Sequence, residues 1–161
     1  MRRMLLPGIL LAVALALLSV TACTKRTEED KVRGVIEAVQ QATEDRDAKG
    51  VLAHLDRSYR DAEGNDIQAL KGMLFYSFLR HQKITVIVSN LNVAVEGTSA
   101  SARFQAILSG RTGASGDILP EAAGVYQFEV SLQKNQHDWL IRSARWEPWG
   151  ESGQNQGRNA P

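Results

Sequence analysis

The sequence predicts an α+β fold, with helices at the front of the domain and an antiparallel sheet behind them. Between residues 27 and 80 the apolar residues recur with the period of an α-helix. From Lys83 onward the period changes to two, which is typical of strands with one buried face. Helices that precede a run of strands favour a layer of helices on one face of a sheet. We therefore expect three N-terminal helices packed on a curved antiparallel sheet of four to five strands.

Short local signals place the ends of the helices. Thr27 can cap the first helix, and the acidic residues that follow it suit the positive end of a helix dipole. Asp45 or Asp47 can cap a short second helix, and Asp66 can cap the third. Between these two, Gly64-Asn65 indicates a turn, and residues 59–61 before it are expected to form a brief strand or a loop.

The third helix carries the widest apolar surface of the three. Its stripe at helical spacing is broadened by further apolar residues on either side. A surface of this width indicates contact with more than one neighbouring surface. Its apolar residues are Ile67, Leu70, Met73, Leu74, Phe75, Phe78 and Leu79.

Four segments after the third helix have the pattern of strands. They cover residues 84–97, 101–110, 125–134 and 139–147, and Glu96-Gly97 forms a turn after the first. The regular polar residues indicate that one sheet face is solvated, which favours antiparallel strands. The apolar face carries Phe104, Ala106, Leu108, Tyr126, Phe128, Val130, Trp139 and Ile141.

The chain opens with the pattern of an exported lipoprotein. Arg2 and Arg3 precede an uncharged, mostly apolar run over residues 5–22, as in a signal peptide. The end of this run and the residue after it, Val20-Thr21-Ala22-Cys23, resemble a bacterial lipobox. This resemblance implies cleavage between Ala22 and Cys23 and acylation of Cys23, the only cysteine of the chain. An uncleaved transmembrane helix is the alternative. It is disfavoured because Pro7-Gly8 weakens the helix and no basic cluster follows the run.

Lipidation would fix the location of the protein. In the enterobacterial lipoprotein pattern, an aspartate directly after the cysteine retains the protein at the inner membrane. This chain has Thr24 there, so the resemblance implies the outer membrane, facing the periplasm, in a Gram-negative host. The expected organisation is a signal peptide over 1–22, a lipidated N-terminus and short linker over 23–27, a folded domain over 28–148 and a disordered polar tail over 149–161. The partner of the chain would be the membrane, through acyl chains on Cys23, because two chains give stable residence.

Charge argues against nucleic acid as a partner. The full chain has 19 Lys and Arg residues against 18 Asp and Glu residues. Removal of Arg2 and Arg3 leaves 17 against 18, a net charge of −1. Nucleic-acid binding depends on a basic surface that neutralises phosphates, and this composition does not supply one.

The order of the elements resembles the NTF2-like superfamily, also called SnoaL-like or cystatin-like, in which a curved sheet wraps a long helix to form a cone. The resemblance spans roughly residues 29–147 and is carried by RDAKGVLAHLDRSYRDAEGNDI, LNVAVEGTSASARF and DWLIRSARW. It implies an apolar cavity at the wide end of the cone. Another α+β sandwich is the alternative fold.

Some members of this superfamily are isomerases, cyclases or dehydratases that hold an Asp or His general base among apolar walls. The apolar strand faces here carry no Asp, Glu or His, which favours a non-catalytic cone. An enzyme that uses Asp56, Tyr59 or Asp61 is the alternative, although turn chemistry accounts for both aspartates. Asp56 and Asp61 are expected at a polar cavity mouth. The residues expected to line the cavity are Tyr59, Phe75, Phe104, Tyr126, Phe128 and Trp139.

No metal or cofactor is expected. His54, His81 and His137 are far apart and show no spacing of zinc ligands, and no phosphate loop, dinucleotide fingerprint or nucleophile elbow is present.

Trp139, Trp146 and Trp149 suit either core packing or an interface on the sheet face. We therefore expect a lipid-anchored envelope protein that binds a small apolar ligand or a protein partner, with a homodimer among the possible partners. A structural adaptor with a filled cone is the further alternative.

Overall fold

The computed structural model describes residues 26–111 and 122–149. The expected signal peptide, the lipobox with Cys23 and the tail after Trp149 lie outside the described residues. Three helices are described, with the bounds α1 Glu28–Glu44, α2 Ala48–Ala53 and α3 Ile67–Arg80. The strands are β1 Leu55–Asp61, β2 Lys83–Glu96, β3 Ser99–Arg111, β4 Ala122–Asn135 and β5 Asp138–Pro148.

The five strands form one mixed sheet in the order β1-β5-β4-β3-β2. The last four are an antiparallel meander, whereas β1 pairs in parallel with β5 through Leu55 and Ile141. The prediction of an α+β fold is confirmed, but the prediction that all helices precede the sheet is wrong. The segment expected to be a brief strand or loop belongs to a seven-residue edge strand between α2 and α3. Within this strand Leu55, Tyr59 and Asp61 are buried. Its pairing partner β5 lies far along the chain, so local sequence could not reveal the strand.

The predicted caps at Thr27 and Asp66 are present, whereas Asp47, at the N-cap position of α2, makes no capping hydrogen bond with its side chain. The Thr27 hydroxyl accepts a hydrogen bond from the Asp30 amide, and the Asp30 carboxylate accepts one from the Thr27 amide, each at 3.1 Å. The Asp66 carboxylate accepts hydrogen bonds from the amides of Gln68 and Ala69, each at 2.9 Å. These bonds satisfy backbone donors that have no partner inside the helix, and so they fix where α1 and α3 begin.

The first turns of α1 are tied to the end of the sheet that carries the β2–β3 and β4–β5 turns. Glu28 accepts a hydrogen bond from the Trp139 indole and forms an ion pair with Lys134, each at 2.8 Å. The amide of Lys134 in turn bonds to the carbonyl of Thr98 at 2.8 Å. This end of the domain is therefore closed by packing and hydrogen bonds.

The core lies between α1 and the inner face of the sheet. Val32, Val35 and Ile36 of α1 pack against the sheet, whose residues in the buried cluster are Ala100, Ala102, Phe104, Ala106, Val130, Leu132, Trp139 and Ile141. Toward the C-terminal end of α1 the packing opens, and Val39, Gln40 and Thr43 line a cavity. Within the described ranges, no helix has the length and apolar character needed to cross a membrane.

Candidate functional site

The cavity has a volume of about 410 Å³ and receives side chains from all eight described elements. Leu70 and Leu74 of α3 form one side, and the C-terminal half of α1 forms another. The inner face of β3, β4 and β5 forms the floor. The floor consists of Phe104, Ala106, Leu108, Tyr126, Phe128, Val130, Ile141, Ala144 and Trp146.

An aromatic row runs across the floor. The sheet register places Phe104 opposite Phe128 and Phe128 opposite Trp146. The rings of Phe104 and Phe128 are stacked, with centroids 5.2 Å apart and planes inclined by 2°. Phe128 and Trp146 follow at 6.1 Å and 28°. Stacked aromatic rings support one another and form a rigid apolar wall, which suits contact with an apolar ligand.

The polar side chains of the wall are largely occupied by the fold itself. The Gln40 amide donates to the carbonyl of Val86, and the Thr43 hydroxyl donates to the carbonyl of Val39, each at 2.7 Å. Among the described lining residues there is no Asp, Glu or His. Tyr59, Tyr126 and Trp146 carry the remaining polar side-chain atoms, so any polar contact with a ligand would come from a phenol or an indole.

Tyr59 lies in the wall as an uncharged phenol. The residue is 2% exposed. Burial raises the pKa of its hydroxyl to about 12, and the negative charges of Asp61 and Glu63 add to this effect. A phenol with this pKa is protonated at neutral pH, so Tyr59 can donate a hydrogen bond but cannot act as a general base there.

Asp56 and Asp61 do not line the cavity. Asp61 is 6% exposed, and its carboxylate accepts hydrogen bonds from the Asn65 amide at 2.7 Å, the Glu63 amide at 3.0 Å and the Asn65 side chain at 2.8 Å. Asp56 accepts hydrogen bonds from the hydroxyl and the amide of Ser58, and these bonds lower its pKa, the hydroxyl bond most. Asp56 therefore stabilises the chain within β1, and Asp61 stabilises the turn that follows it.

Four of the residues expected to line the cavity lie in its wall, namely Tyr59, Phe104, Tyr126 and Phe128. Phe75 and Trp139 require a correction. Phe75 follows Leu74 directly in α3, so it points about 100° away around the helix and is 63% exposed. Trp139 is buried at the closed end, where Glu28 holds its indole, rather than at the cavity.

Sequence reasoning missed Trp146 as a lining residue because the register of β5 shifts. The pairing with β4 is irregular where Ser131 and Leu132 meet β5. Trp139 and Ile141 face inward before this point, whereas Ala144 and Trp146 face inward after it. A bulge changes which alternate residues face the core, and strict alternation along the sequence gives no sign of it.

The histidines do not form a site. In the part of the chain that the structure describes, no group of three or more His, Cys, Asp or Glu side chains could hold a metal ion. His81 follows α3 and packs against Gly110 of β3. A side chain at position 110 would collide with it, since a Cβ atom added to Gly110 would lie 2.6 Å from the His81 Nδ1. Its Nδ1 is buried and has no hydrogen-bond partner among the described residues.

Comparison with known proteins identifies the fold. No protein-family model and no curated protein match the sequence. Among solved structures, Bd1075 of Bdellovibrio bacteriovorus superposes with a TM-score of 0.65 at 12% identity, covering 78% of this chain, which spans only 45% of that protein. An NTF2-like protein of unknown function from Pseudomonas putida gives 0.61 at 19% identity, covering 74% of this chain and 84% of that one.

A third neighbour comes from Novosphingobium aromaticivorans and is provisionally assigned as a scytalone dehydratase. It gives a TM-score of 0.63 at 13% identity, covering 73% of this chain and 81% of that one. Identities this low carry information about the backbone fold rather than about chemistry. The described domain has the NTF2-like, or cystatin-like, fold.

Proposed function

We propose that this protein binds a small apolar ligand in its cavity and catalyses no reaction on it, and that acyl chains on Cys23 hold it at the outer membrane, facing the periplasm. One observation carries the binding role: a cavity of about 410 Å³ has aromatic and aliphatic walls with no carboxylate or imidazole among the described lining residues. Cavities for small ligands commonly measure about 300 to 1,000 Å³ and are mainly apolar.

The enzymatic alternative needs a group that can exchange a proton near neutral pH. One structural neighbour is provisionally assigned as a dehydratase, but similarity of fold alone is weak support for the same activity in this chain. Asp56 and Asp61 are engaged by Ser58, Glu63 and Asn65 outside the cavity. Tyr59 faces the cavity, but with a pKa of about 12 it holds its proton at the pH where an envelope protein works.

The anchoring role rests on the lipobox at 20–23 and on the distance from it to the domain. α1 begins at Glu28, so Cys23 is five residues from the closed end of the domain. The cavity-lining residues Val39 and Thr43 lie about 17 to 22 Å farther along α1 at 1.5 Å per residue. The cavity would therefore sit away from the attachment point, within reach of ligands in the periplasm or of the bilayer surface beside the domain.

Binding of a protein partner is the second candidate, favoured by an apolar row on the outer sheet face. Ile87, Ile107 and Val125 are neighbours across β2, β3 and β4, and all three are exposed. Trp149 extends the row, since its amide donates to the Val125 carbonyl at 2.7 Å. Sedimentation of wild type and Ile107→Lys tests this role. A self-associating sheet face predicts a dimer that the lysine disrupts, and a monomer in both samples argues against a homodimer.

Native mass spectrometry of the protein purified from its own membranes tests the proposal as a whole. We expect a mature chain that begins at Cys23 and carries the mass of acyl groups, together with a bound apolar molecule that collisional activation releases. An unmodified Cys23 or an intact leader would contradict the anchor. An empty cavity that also fails to take up added apolar compounds would contradict the binding role.

A further inference from the structure

Helix α3 is apolar on both of its sides. Leu70 and Leu74 face the cavity, whereas Met73, Phe75, Tyr76 and Leu79 are exposed, Leu79 by 70%. No residue of α3 is buried. A helix that is apolar all round is normally covered on all sides, so the exposed side lacks a partner within the described domain.

The charged residues of α3 itself and of the segment that follows it are of one sign. The sequence from Ile67 to Val95 contains no Asp or Glu, but it contains Lys71, Arg80 and Lys83, all of them exposed. Asp66, just before the helix, is occupied in capping it. Within this segment the apolar strip is accompanied by basic residues and by no acidic ones, which makes it complementary to a surface with apolar depth and negative charge.

One pair of residues sits at the boundary between the apolar and the basic parts. The Arg80 guanidinium donates to the Tyr76 hydroxyl at 2.9 Å and lies 5.5 Å from the centre of its ring. Tyrosine has an apolar ring and a polar tip, and it is enriched where a bilayer meets water. Arginine beside it can pair with lipid phosphates.

We propose that the outer side of α3, defined by Met73, Phe75, Tyr76 and Leu79, lies in the headgroup region of an anionic lipid bilayer. A helix held at the interface lies in the plane of the bilayer with its apolar side about 5 to 10 Å deep. A protein partner fits less well, because protein interfaces are depleted in lysine and this side has Lys71 within α3 and Lys83 just after it. The contact requires neither the acyl chains on Cys23 nor a ligand in the cavity.

The attachments of α3 to the domain are compatible with this contact. Near its start Asp66 lies 3.6 Å from the Arg60 guanidinium, and near its end Arg46 donates to the carbonyls of Phe78 and His81 at 3.5 and 3.4 Å. These bonds lie at the two ends and leave the middle of the outer side free of polar attachments to the domain. In this orientation α3 would lie between the bilayer and the cavity.

A depth measurement on the full-length gene product tests the contact. Leu79→Cys is labelled with the environment-sensitive fluorophore NBD, and Ser131→Cys on the exposed outer face of the sheet is the matched control. Wild type treated in the same way measures any labelling of Cys23. Each protein is incorporated into vesicles of phosphatidylethanolamine with phosphatidylglycerol, and quenching by iodide in water and by spin-labelled lipid is recorded.

We expect the probe at position 79 to be quenched by spin-labelled lipid and to be several-fold less sensitive to iodide than the probe at 131. In phosphatidylcholine vesicles this difference should shrink. Equal iodide quenching at both positions would overturn the proposal, because α3 would then face water. Protection from iodide without quenching by the lipid would also overturn it, because a protein would then cover the helix. Met73→Cys provides a second position if Leu79→Cys does not fold.

Discussion

The Asp61 carboxylate lies on the same side of β1 as the Tyr59 ring, and its charge adds to burial in raising the Tyr59 pKa to about 12. Of these two residues only Tyr59 lines the cavity. The Asp61 carboxylate accepts hydrogen bonds from the amides of Glu63 and Asn65 instead. The carboxylate of this pair is therefore engaged in local structure, and the group that remains in the cavity wall is a phenol that keeps its proton. This division supports binding over catalysis.

The raised pKa of Tyr59 predicts a loss of stability in alkali. The folded state holds this proton more tightly than the unfolded state, whose tyrosine titrates near 10. The stabilisation is fully present below about pH 10 and is lost as the pH rises toward about 12. We expect the free energy of unfolding in urea to fall between neutral pH and a pH above 10, and to fall less for Tyr59→Phe than for wild type. An identical decrease in both proteins would mean that Tyr59 is not buried as described.

Removal of the Asp61 carboxylate should destabilise the fold. Asp61→Ala leaves the amides of Glu63 and Asn65 without their acceptor, and an unsatisfied buried donor costs about 1 to 3 kcal/mol. Urea unfolding measures this loss, and Glu63→Ala, at an exposed neighbouring position, is the control. Ligand retention by the folded fraction should be unchanged. If Asp61→Ala folds with full stability and instead abolishes turnover of a substrate, the enzymatic alternative is favoured.

The closed end of the domain should weaken in acid. Hydrogen bonds from Lys134, Lys31 and Trp139, in that order, lower the pKa of Glu28 to about 2. Because the folded pKa is depressed, the stabilisation is present above about pH 4.5 and is lost as the pH falls toward about 2. Glu28→Gln should therefore lower the melting temperature at neutral pH, and its difference from wild type should shrink in acid.

Glu29→Gln serves as the control for Glu28, because Glu29 is exposed and forms no hydrogen bond or ion pair with the described residues. Its melting temperature should follow that of wild type throughout. A difference between Glu28→Gln and wild type that stays constant from neutral pH to acid would contradict the assigned pKa.

Local signals in the sequence were sufficient to predict features that depend only on residues close together in the chain. The caps at Thr27 and Asp66 depend on residues within three positions, and the alternation over 125–134 matches the inward-facing and outward-facing sides of β4. The sequence also indicated an apolar strand face without acids, which agrees with the wall around Phe104 and Phe128.

The remaining features depend on contacts between distant parts of the chain. The parallel pairing of β1 with β5 joins Leu55 to Ile141, and no turn signal marks such a pair. The register shift in β5 turns Trp146 toward the cavity. For α3 the sequence predicted only a wide apolar surface. The spacing of the apolar residues does not show which of them face the domain and which stay exposed.

The central claim, that the cavity binds an apolar ligand, is tested most directly by titrating the chain from residue 26 onward with N-phenyl-1-naphthylamine, a dye that fluoresces when it leaves water. Ala106→Phe would place a ring inside the cavity, whereas Ile107→Phe changes the next residue, which faces outward. We predict saturable binding to wild type and to Ile107→Phe, and affinity at least about tenfold weaker for a folded Ala106→Phe protein. Equal affinity in all three proteins, or no binding to wild type, would contradict the claim.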